Sequence, residues 1–246
     1  MYLSKRNIRE KKFHNNLQSQ SKGRFENIFY KSTYNLYEDY FKYLKSNALN
    51  AEILDYGCGV GSTLKKVLNF NPKRIIGIDI SEISIRKAKD SIQNFNSKAE
   101  LSVDNCEKTK FKDNTFNLVY GDAILHHLNI SLCLNEIRRI LKPGGKLLFT
   151  EPLGTNPLIN LYRKLTPNSR SKDERPLDNY DFKLIKEKFN KVEIKYYGFL
   201  TLLFFPLYSS PQNSIIFNFL KNLDQYLMKN KFFQKLAWSV LIIAEN

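Results

Sequence analysis

The chain has 246 residues, enough to bury one substantial hydrophobic core, and a formal net charge of +15. Its three cysteines, Cys58, Cys106 and Cys133, have neither the spacing of a zinc site nor the even number of a disulfide framework, so we expect a cytoplasmic protein. The N-terminus is charged and no run reaches about eighteen apolar residues, so we expect neither a secretory signal peptide nor a membrane-spanning helix.

The basic charge is compatible with nucleic acid or an anionic membrane as a partner. However, the basic residues are spread along the chain, with only a mild concentration from Lys5 to Lys12. Lys, Asn and Ile are abundant together, which the base composition of an AT-rich genome would produce. No basic motif interleaved with aromatic residues stands out, so we predict that nucleic acid is not a partner.

The predicted elements begin with a polar, basic segment and a covering helix over about 27–46, where Tyr34, Tyr37, Phe41 and Leu44 recur at helical spacing. Strands and helices then alternate. The predicted strands are 52–55, 74–79, 100–104, 116–120, 146–151, 191–198 and one within 237–246, and the helices between them are 62–69, 82–94, 130–141 and 180–189. This alternation predicts an α/β fold with a doubly wound parallel sheet.

The most informative segment reads I-L-D-Y-G-C-G-V-G-S. A short buried strand ends at Asp55, and Gly57, Gly59 and Gly61 then permit a tight turn that approaches a ligand closely. About twenty residues later a second strand ends at Asp79, where a carboxylate can accept both hydroxyls of a ribose. The third glycine comes one residue too early for the dinucleotide pattern G-x-G-x-x-G.

This pattern resembles motif I of class I S-adenosylmethionine-dependent methyltransferases, of the small-molecule type that includes the ubiquinone and menaquinone enzymes. The segments Y-G-D-A-I-L-H-H-L and L-K-P-G-G-K-L-L-F-T-E-P resemble motif IV and the stretch after it, so the resemblance covers about 25–198 and the last strand. It implies a Rossmann-like, seven-stranded sheet, mostly parallel with an antiparallel last strand, and helices on both faces. The resemblance divides the chain into two parts. A basic segment and covering helix occupy 1–48, and a methyltransferase domain occupies 49–246, with insertions at about 152–178 and 199–236.

The resemblance also implies S-adenosyl-L-methionine as the cofactor. In the family the glycine loop holds the carboxypropyl and ribose parts, so Asp79 would take the ribose hydroxyls while Ile80 packs on the adenine. The family's adenine-reading aspartate falls on Asn105 or on Asp104, depending on which neighbouring segment is aligned, and an asparagine can still bond the adenine edge. The predicted cofactor-binding residues are Asp55, Gly57, Gly59, Gly61, Asp79, Ile80, Asp104, Asn105, Cys106 and Gly121.

Methyl transfer from a sulfonium is an in-line displacement, so most of its rate comes from alignment and exclusion of water. His126 and His127 follow the fourth strand, where one of them can remove a proton from a hydroxyl; the alternative is that one packs the next helix. Glu151, at the end of the fifth strand, is the third predicted catalytic residue, unless it is a surface carboxylate, and Asp122 is similar. His14 is expected to be solvated, and no metal site is predicted.

Both insertions suggest substrate contacts. Arg163, Arg170 and Arg175 of the first are candidates for an anionic substrate, although a solvated loop is the favoured interpretation. In the second, a predicted helix over 214–228 has Ile216, Leu220, Leu223 and Leu227 on one side and Lys221, Asp224 and Gln225 on the other. The favoured hypothesis is a lid that roofs the substrate pocket, and the other is a peripheral membrane contact through 199–236 that reaches a lipid-like acceptor.

We therefore predict a methyltransferase that modifies oxygen or carbon of a small-molecule acceptor, lipid-like or glycan-linked. An RNA or protein methyltransferase is the first alternative, but the Asn/Asp-Pro-Pro-Tyr motif of many such enzymes is absent after the fourth strand. A non-catalytic, cofactor-binding partner subunit is the second, and the intact glycine loop disfavours it. The methyl acceptor and the oligomeric state stay open.

Overall fold

The computed structural model describes residues 3–19, 28–93, 98–167 and 170–246. The helices are α1 (Lys5–Ser19), α2 (Tyr34–Ala48), α3 (Ser62–Leu68), α4 (Glu82–Ser91), α5 (Ile130–Ile140), α6 (Pro157–Leu165), α7 (Asn179–Lys188), α8 (Leu200–Leu203), α9 (Ile215–Leu227) and α10 (Lys231–Gln234). The strands are β1 (Glu52–Tyr56), β2 (Arg74–Asp79), β3 (Ala99–Val103), β4 (Phe116–Asp122), β5 (Leu141–Pro152), β6 (Asn190–Tyr197) and β7 (Ser239–Glu245).

The predicted strands and the helices between them are confirmed, with one clear difference at β5. This strand begins at Leu141, directly after α5, although the sequence predicts a start at Lys146. Its pairing with β4 shifts register between these two residues, and Gly144 has a φ of 73°. The Pro-Gly-Gly sequence therefore forms an irregularity within the strand.

The covering helix is present in two parts, a 3₁₀ segment at Ile28–Thr33 and then α2. Residue 27, where the prediction begins, lies outside the described residues, as does residue 94, where the predicted helix 82–94 ends. Helix α4 starts where its sequence predicts, because the Oγ of Ser81 accepts the backbone N–H of Ser84 at 3.1 Å.

The seven strands form one sheet in the order β3-β2-β1-β4-β5-β7-β6, in which β7 runs antiparallel to both β5 and β6. The seven-stranded, mostly parallel sheet with an antiparallel last strand is therefore confirmed. The chain reverses its direction of travel across the sheet between β1 and β4. Ligands of open α/β sheets bind at such a reversal, outside the carboxyl ends of the strands, which here are Tyr56, Asp79 and Asp122.

Neighbouring residues of the central strands pack into two different apolar clusters, because side chains alternate across a sheet. Ile53 belongs to the cluster beneath α2 and α3, whereas Leu54 belongs to the cluster beneath α5 and α7. On the first face α2 buries Leu36, Tyr40 and Leu44 completely or almost completely. The helix was predicted to cover the sheet or the ligand pocket, and it covers the sheet, which is packed on both faces.

Helix α1 is an element that the sequence analysis does not predict. Polar contacts hold it over the carboxyl edge of the sheet: Nε of Arg9 lies 2.6 Å from Oδ2 of Asp173, and Ser81 Oγ donates to Asn15 Oδ1 at 2.6 Å. Lys11 pairs with Glu82 at the start of α4. Part of the basic N-terminal segment is therefore neutralised by contacts within the protein.

The second insertion forms α8, α9 and α10, and the buried side of α9 agrees with the predicted one at Leu220 but not at Ile216 and Asp224. Phe217 and Leu220 are buried, while Ile216 is exposed. Asp224, predicted to face outward, is buried because its carboxylate accepts the backbone N–H groups of residues 199–201 at 2.8 to 3.3 Å, where α8 begins. Among the described helices, none has the length and apolarity needed to cross a bilayer.

Candidate cofactor site

A cavity of about 480 Å³ lies at the carboxyl edge of the sheet, between α1 and the ends of β1, β2 and β4. Seven predicted site residues line it: Gly57, Gly59, Asp79, Ile80, Asn105, Cys106 and His127. Six do not belong to its lining: Asp55, Gly61, Asp104, Gly121, His126 and Glu151. The structure thus brings the centre of the predicted site together and puts the remaining residues behind it.

The glycine loop makes the tight turn that its sequence predicts. Gly57 has a φ of 79° and Gly59 a φ of 52°, a region that favours glycine. A Cβ on Gly57 would also lie 2.5 Å from Cγ1 of Ile124, so the loop after β4 packs directly on this backbone. Both properties keep the loop close to whatever occupies the cavity.

Asp79 is a carboxylate of the lining that two backbone N–H groups hold in place. The N–H of Gly59 donates to its Oδ2 at 3.0 Å, and the N–H of Ser81 donates to its Oδ1 at 2.8 Å. Burial raises the pKa of Asp79. Because an ionised carboxylate has about four acceptor sites, two bonds leave capacity to accept the hydroxyls of a ligand.

The loop after β3 separates the two candidates for the adenine contact. Asn105 and Cys106 line the cavity. The carboxylate of Asp104 is buried in its own loop, where it accepts the N–H of Asn105 at 2.9 Å and that of Lys110 at 3.3 Å. Of the two candidates, only Asn105 belongs to the lining of the cavity.

Three further predicted cofactor residues have packing or hydrogen-bonding roles behind the cavity. Asp55 accepts the hydroxyl of Tyr120 at 2.9 Å, and burial raises the pKa of Asp55 to about 8. A Cβ on Gly61 would lie 3.2 Å from Cβ of Ala88 in α4, and one on Gly121 would lie 2.5 Å from the ring of Phe149. These residues shape the loop without reaching the lining.

The paired histidines occupy different environments. His127 lines the cavity, whereas Nδ1 of His126 lies 2.7 Å from Oε2 of Glu151. Glu151 also accepts the N–H groups of Ile124 at 2.9 Å and Leu125 at 2.7 Å, and burial raises its pKa to about 7. Glu151 is therefore not a surface carboxylate; it holds the turn that presents His127.

Asp122, at the end of β4, also lines the cavity. Its Oδ1 accepts the hydroxyl of Thr150 at 2.5 Å and that of Tyr37 at 3.2 Å, and burial raises its pKa. The next residue, Ala123, has a φ of 54°, which is unusual for a residue with a Cβ. This strained turn directs the segment from Ile124 onward into the lining.

Helix α1 contributes four polar side chains to the lining at steps of three and four residues: Asn7, Glu10, His14 and Gln18. His14 therefore faces the cavity, and its side chain, predicted to be solvated, is half-buried at 25% exposure. Burial lowers the pKa of His127 despite the neighbouring Glu10. For Glu10, burial is outweighed by the contacts with His127, His14 and Ser171, so its pKa is lowered.

The roof of the cavity is thus α1, and no residue of 199–236 belongs to the lining. The prediction that the second insertion roofs the pocket is wrong, because the apolar side of α9 packs beside α8 and Tyr208 instead.

The three arginines of the first insertion are also absent from the lining. Each makes local contacts, as between Arg163 and the carbonyl of Leu153 at 2.8 Å, which leaves the anionic-substrate hypothesis without geometric support.

Known proteins share both the sequence motifs and the fold. A family described as a methyltransferase domain matches residues 54–149. The chain is 31% identical over 110 residues to a sterol 4-C-methyltransferase of Caenorhabditis elegans, covering 44% of this chain and 33% of the relative. It is 33% identical over 119 residues to phosphoethanolamine N-methyltransferase 3 of Arabidopsis thaliana, covering 46% and 24%. The match thus spans a third or less of these relatives.

Solved structures agree over a longer stretch. Geranyl diphosphate C-methyltransferase from Streptomyces coelicolor A3(2) has a TM-score of 0.68 at 13% identity, covering 100% of this chain and 99% of that one. Phosphoethanolamine N-methyltransferase 2 from Haemonchus contortus has a TM-score of 0.65 at 16% identity, covering 96% and 59%. At these low sequence identities, the similarity shows a shared fold and nothing further. This fold, the glycine loop and the methyltransferase-domain match coincide on the same residues, so the chain is similar to S-adenosylmethionine-dependent methyltransferases over residues 54–149.

Proposed function

We propose that this protein transfers a methyl group from S-adenosyl-L-methionine to a small-molecule acceptor, at oxygen or carbon. The observation that carries the proposal is the carboxylate of Asp79, fixed by two backbone N–H groups and directed into the cavity beside Gly57 and Gly59. The cavity volume of about 480 Å³ falls in the range of small-molecule sites, roughly 300–1,000 Å³. A roof formed by α1 suits a small acceptor better than an RNA or a protein.

The acceptor class that we favour is lipid-like. The relatives include methyltransferases named for sterols, and a neighbouring fold is named for geranyl diphosphate. In this chain, exposed apolar side chains are concentrated on α6 and the second insertion: Leu158, Leu161, Leu165, Leu207, Ile215, Phe219 and Phe232. These elements adjoin the cavity, because Phe29 contacts Tyr162 and Phe205 while the next residue, Tyr30, belongs to the lining.

The direct test combines binding and turnover. We expect S-adenosylhomocysteine to bind with a stoichiometry of about one in isothermal titration. The protein is then incubated with labelled S-adenosylmethionine and a panel containing a sterol, a prenyl diphosphate, phosphoethanolamine and a catechol, with products identified by mass. Absence of S-adenosylhomocysteine binding would contradict the proposed function, while a methylated phosphoethanolamine alone would redirect it to nitrogen.

His127 is the histidine that we expect to act on the acceptor. His127→Ala is expected to lower turnover about a hundredfold and leave S-adenosylhomocysteine affinity nearly unchanged. Because the pKa of His127 is lowered, its neutral, proton-accepting form persists below the usual pH of about 6.5, and turnover is expected to fall only under more acidic conditions. His126→Ala is the control, with its main effect on stability. A near-normal rate in both variants would leave alignment alone as the mechanism.

The second insertion is proposed to contact membranes peripherally, which would give access to a lipid-like acceptor. Ile215 is 87% exposed and Phe219 is 66% exposed, one turn apart on α9, so Ile215→Asp with Phe219→Asp is expected to abolish co-sedimentation with anionic liposomes. Phe205 is unsuitable for this purpose because it packs against Phe29. Leu49→Asp with Tyr180→Asp is the control of equal charge. No binding of the wild type at low salt would refute the membrane contact.

A further inference from the structure

Three potential metal ligands meet where α1 closes over the cavity. Glu10 and His14 lie one helical turn apart on α1, and His127 comes from the turn after β4. Their nearest ligand atoms all lie within 4.8 Å of one another. Oε2 of Glu10 is 3.1 Å from Nδ1 of His127 and 3.6 Å from Nε2 of His14. Ligand atoms about 2.1 Å from a tetrahedral ion are about 3.4 Å apart, so both distances fit a shared ion.

The hydrogen bonding of two of these residues supports the same conclusion independently. Glu10 is 4% exposed and His127 is 5% exposed. Oε2 of Glu10 and Nδ1 of His127 are buried and 3.1 Å apart, but the geometry between them makes no hydrogen bond, and neither has another hydrogen-bond partner among the residues that the structure describes. Buried polar atoms without partners are rare and costly, and here two of them face each other. A cation between them would satisfy both lone pairs.

The surroundings of Glu10 resemble the outer shell of a metal site. Its other oxygen, Oε1, accepts the hydroxyl of Ser171 at 2.5 Å, which fixes the orientation of the carboxylate. Ordered hydrogen bonds to ligating carboxylates are typical of metal sites. Two residues four apart on one helix face are also a recurrent way to present ligands to a single ion.

We propose that Glu10, His14 and His127 bind a divalent transition-metal ion of the zinc class, which fastens α1 to the body of the protein. Two imidazoles and one carboxylate suit zinc, iron(II) or cobalt(II), whereas magnesium prefers oxygen ligands and retains water. Three protein ligands leave a coordination position open, and all three residues line the cavity. An acceptor oxygen bound at that position would be polarised by the ion. The proposal goes beyond methyl transfer. An imidazole bound to the ion through Nδ1 has no free lone pair, so His127 accepts a proton only in the metal-free protein.

A second set, His126, His127 and Glu174, also comes close enough to share an ion. Its members are engaged elsewhere: His126 lies against Glu151, and Glu174 lies 3.7 Å from Arg170. We therefore assign the ion to the α1 set, and Glu174→Gln becomes a matched control that removes one carboxylate from the rival set alone.

The test uses untagged, full-length protein freed of metal by a chelator. We expect one zinc ion to bind in isothermal titration and to raise the unfolding temperature, cobalt(II) to give the visible absorption of a low-coordinate site, and magnesium to do neither. Glu10→Gln, which retains an oxygen for Ser171, and His14→Ala are each expected to weaken zinc binding by more than the tenfold to hundredfold typical of losing an outer-shell partner. Glu174→Gln should bind zinc as the wild type does.

Two results would overturn the proposal. One is the absence of stoichiometric zinc binding by the wild type, and the other is a Glu174→Gln variant that loses zinc as much as or more than His14→Ala does. Circular dichroism of each variant checks that it is folded. S-adenosylhomocysteine affinity is measured separately without zinc, so failure of the metal site and failure of the proposed function give different results.

Discussion

Replacing Glu151 with alanine is expected to lower the free energy of unfolding by about 3–5 kcal/mol, because its carboxyl group is buried and accepts several hydrogen bonds. It accepts the N–H groups of Ile124, Leu125 and His126, and it lies against the ring of His126. Alanine would leave two buried N–H donors and one part-buried N–H donor without this acceptor, and would remove the carboxylate beside the ring of His126. Since a domain of this size is typically stable by about 5–15 kcal/mol, this is a large fraction of the total.

Glu151→Gln is the control, because its amide oxygen can still accept backbone N–H groups. Urea denaturation followed by circular dichroism measures all three proteins. A loss below about 1 kcal/mol in Glu151→Ala would show that the turn does not depend on this side chain. Glu151→Gln should retain most of the wild-type stability if hydrogen bonding, rather than charge, supports the turn.

The same pair of proteins gives a pH dependence of known sign. Burial raises the pKa of Glu151 to about 7 from the ordinary 4.5, so the folded protein binds this proton more tightly than the unfolded chain. The stabilisation from this carboxyl is complete below pH 4.5 and is lost as the pH rises through about 7. Glu151→Gln removes that titration. Its stability should therefore fall less steeply than that of the wild type between about pH 5 and pH 8.

Replacing Asp79 with alanine is expected to weaken S-adenosylhomocysteine binding about tenfold to a hundredfold. Charge-assisted hydrogen bonds to the ribose hydroxyls contribute roughly 1.5–3 kcal/mol. The substitution also removes the acceptor for the N–H groups of Gly59 and Ser81, so the glycine loop loses one of its restraints. We therefore expect a loss toward the upper end of this range.

Isothermal titration of the wild type, Asp79→Ala and Asp79→Asn measures this effect. The asparagine variant keeps one acceptor oxygen without the charge and should lie between the other two. Because burial raises the pKa of Asp79, binding by the wild type should weaken on acidification at a pH above the ordinary value of 3.8. Equal affinities in the wild type and Asp79→Ala would refute the ribose contact.

Local chemistry explains which parts of the site were predictable. The turn at Gly57 and Gly59 depends on the absence of a Cβ, and the position of Asp79 at the end of a strand depends on the order of elements along the chain. The hydroxyl of Ser81 caps α4 within three residues of its own position. Each of these features is encoded over a few neighbouring residues, so sequence reasoning identified them correctly.

The residues that the sequence analysis misplaced depend on side-chain direction. Asp55 and Asp79 both stand at or beside the end of a strand, yet only Asp79 lines the cavity, while Asp55 pairs with Tyr120. Asp224 has the sequence context of an exposed helix residue, yet it is buried because α8 begins beside it. The periodicity of one segment carries no information about where a neighbouring segment lies. For both Asp55 and Asp224, the neighbouring segment decides where the side chain points.

The sequence alone determined a doubly wound α/β sheet and a tight glycine loop followed by a strand-end carboxylate, since hydrophobic alternation and glycine spacing act locally. Only the tertiary structure revealed the roof, because Asn7, Glu10, His14 and Gln18 form a polar face that hydrophobic periodicity does not detect. Only folding brings Glu10 to within 3.1 Å of His127, from which it is separated by most of the first half of the chain. Contacts of this kind depend on how α1 packs across the carboxyl edge of the sheet, and no short segment encodes that packing.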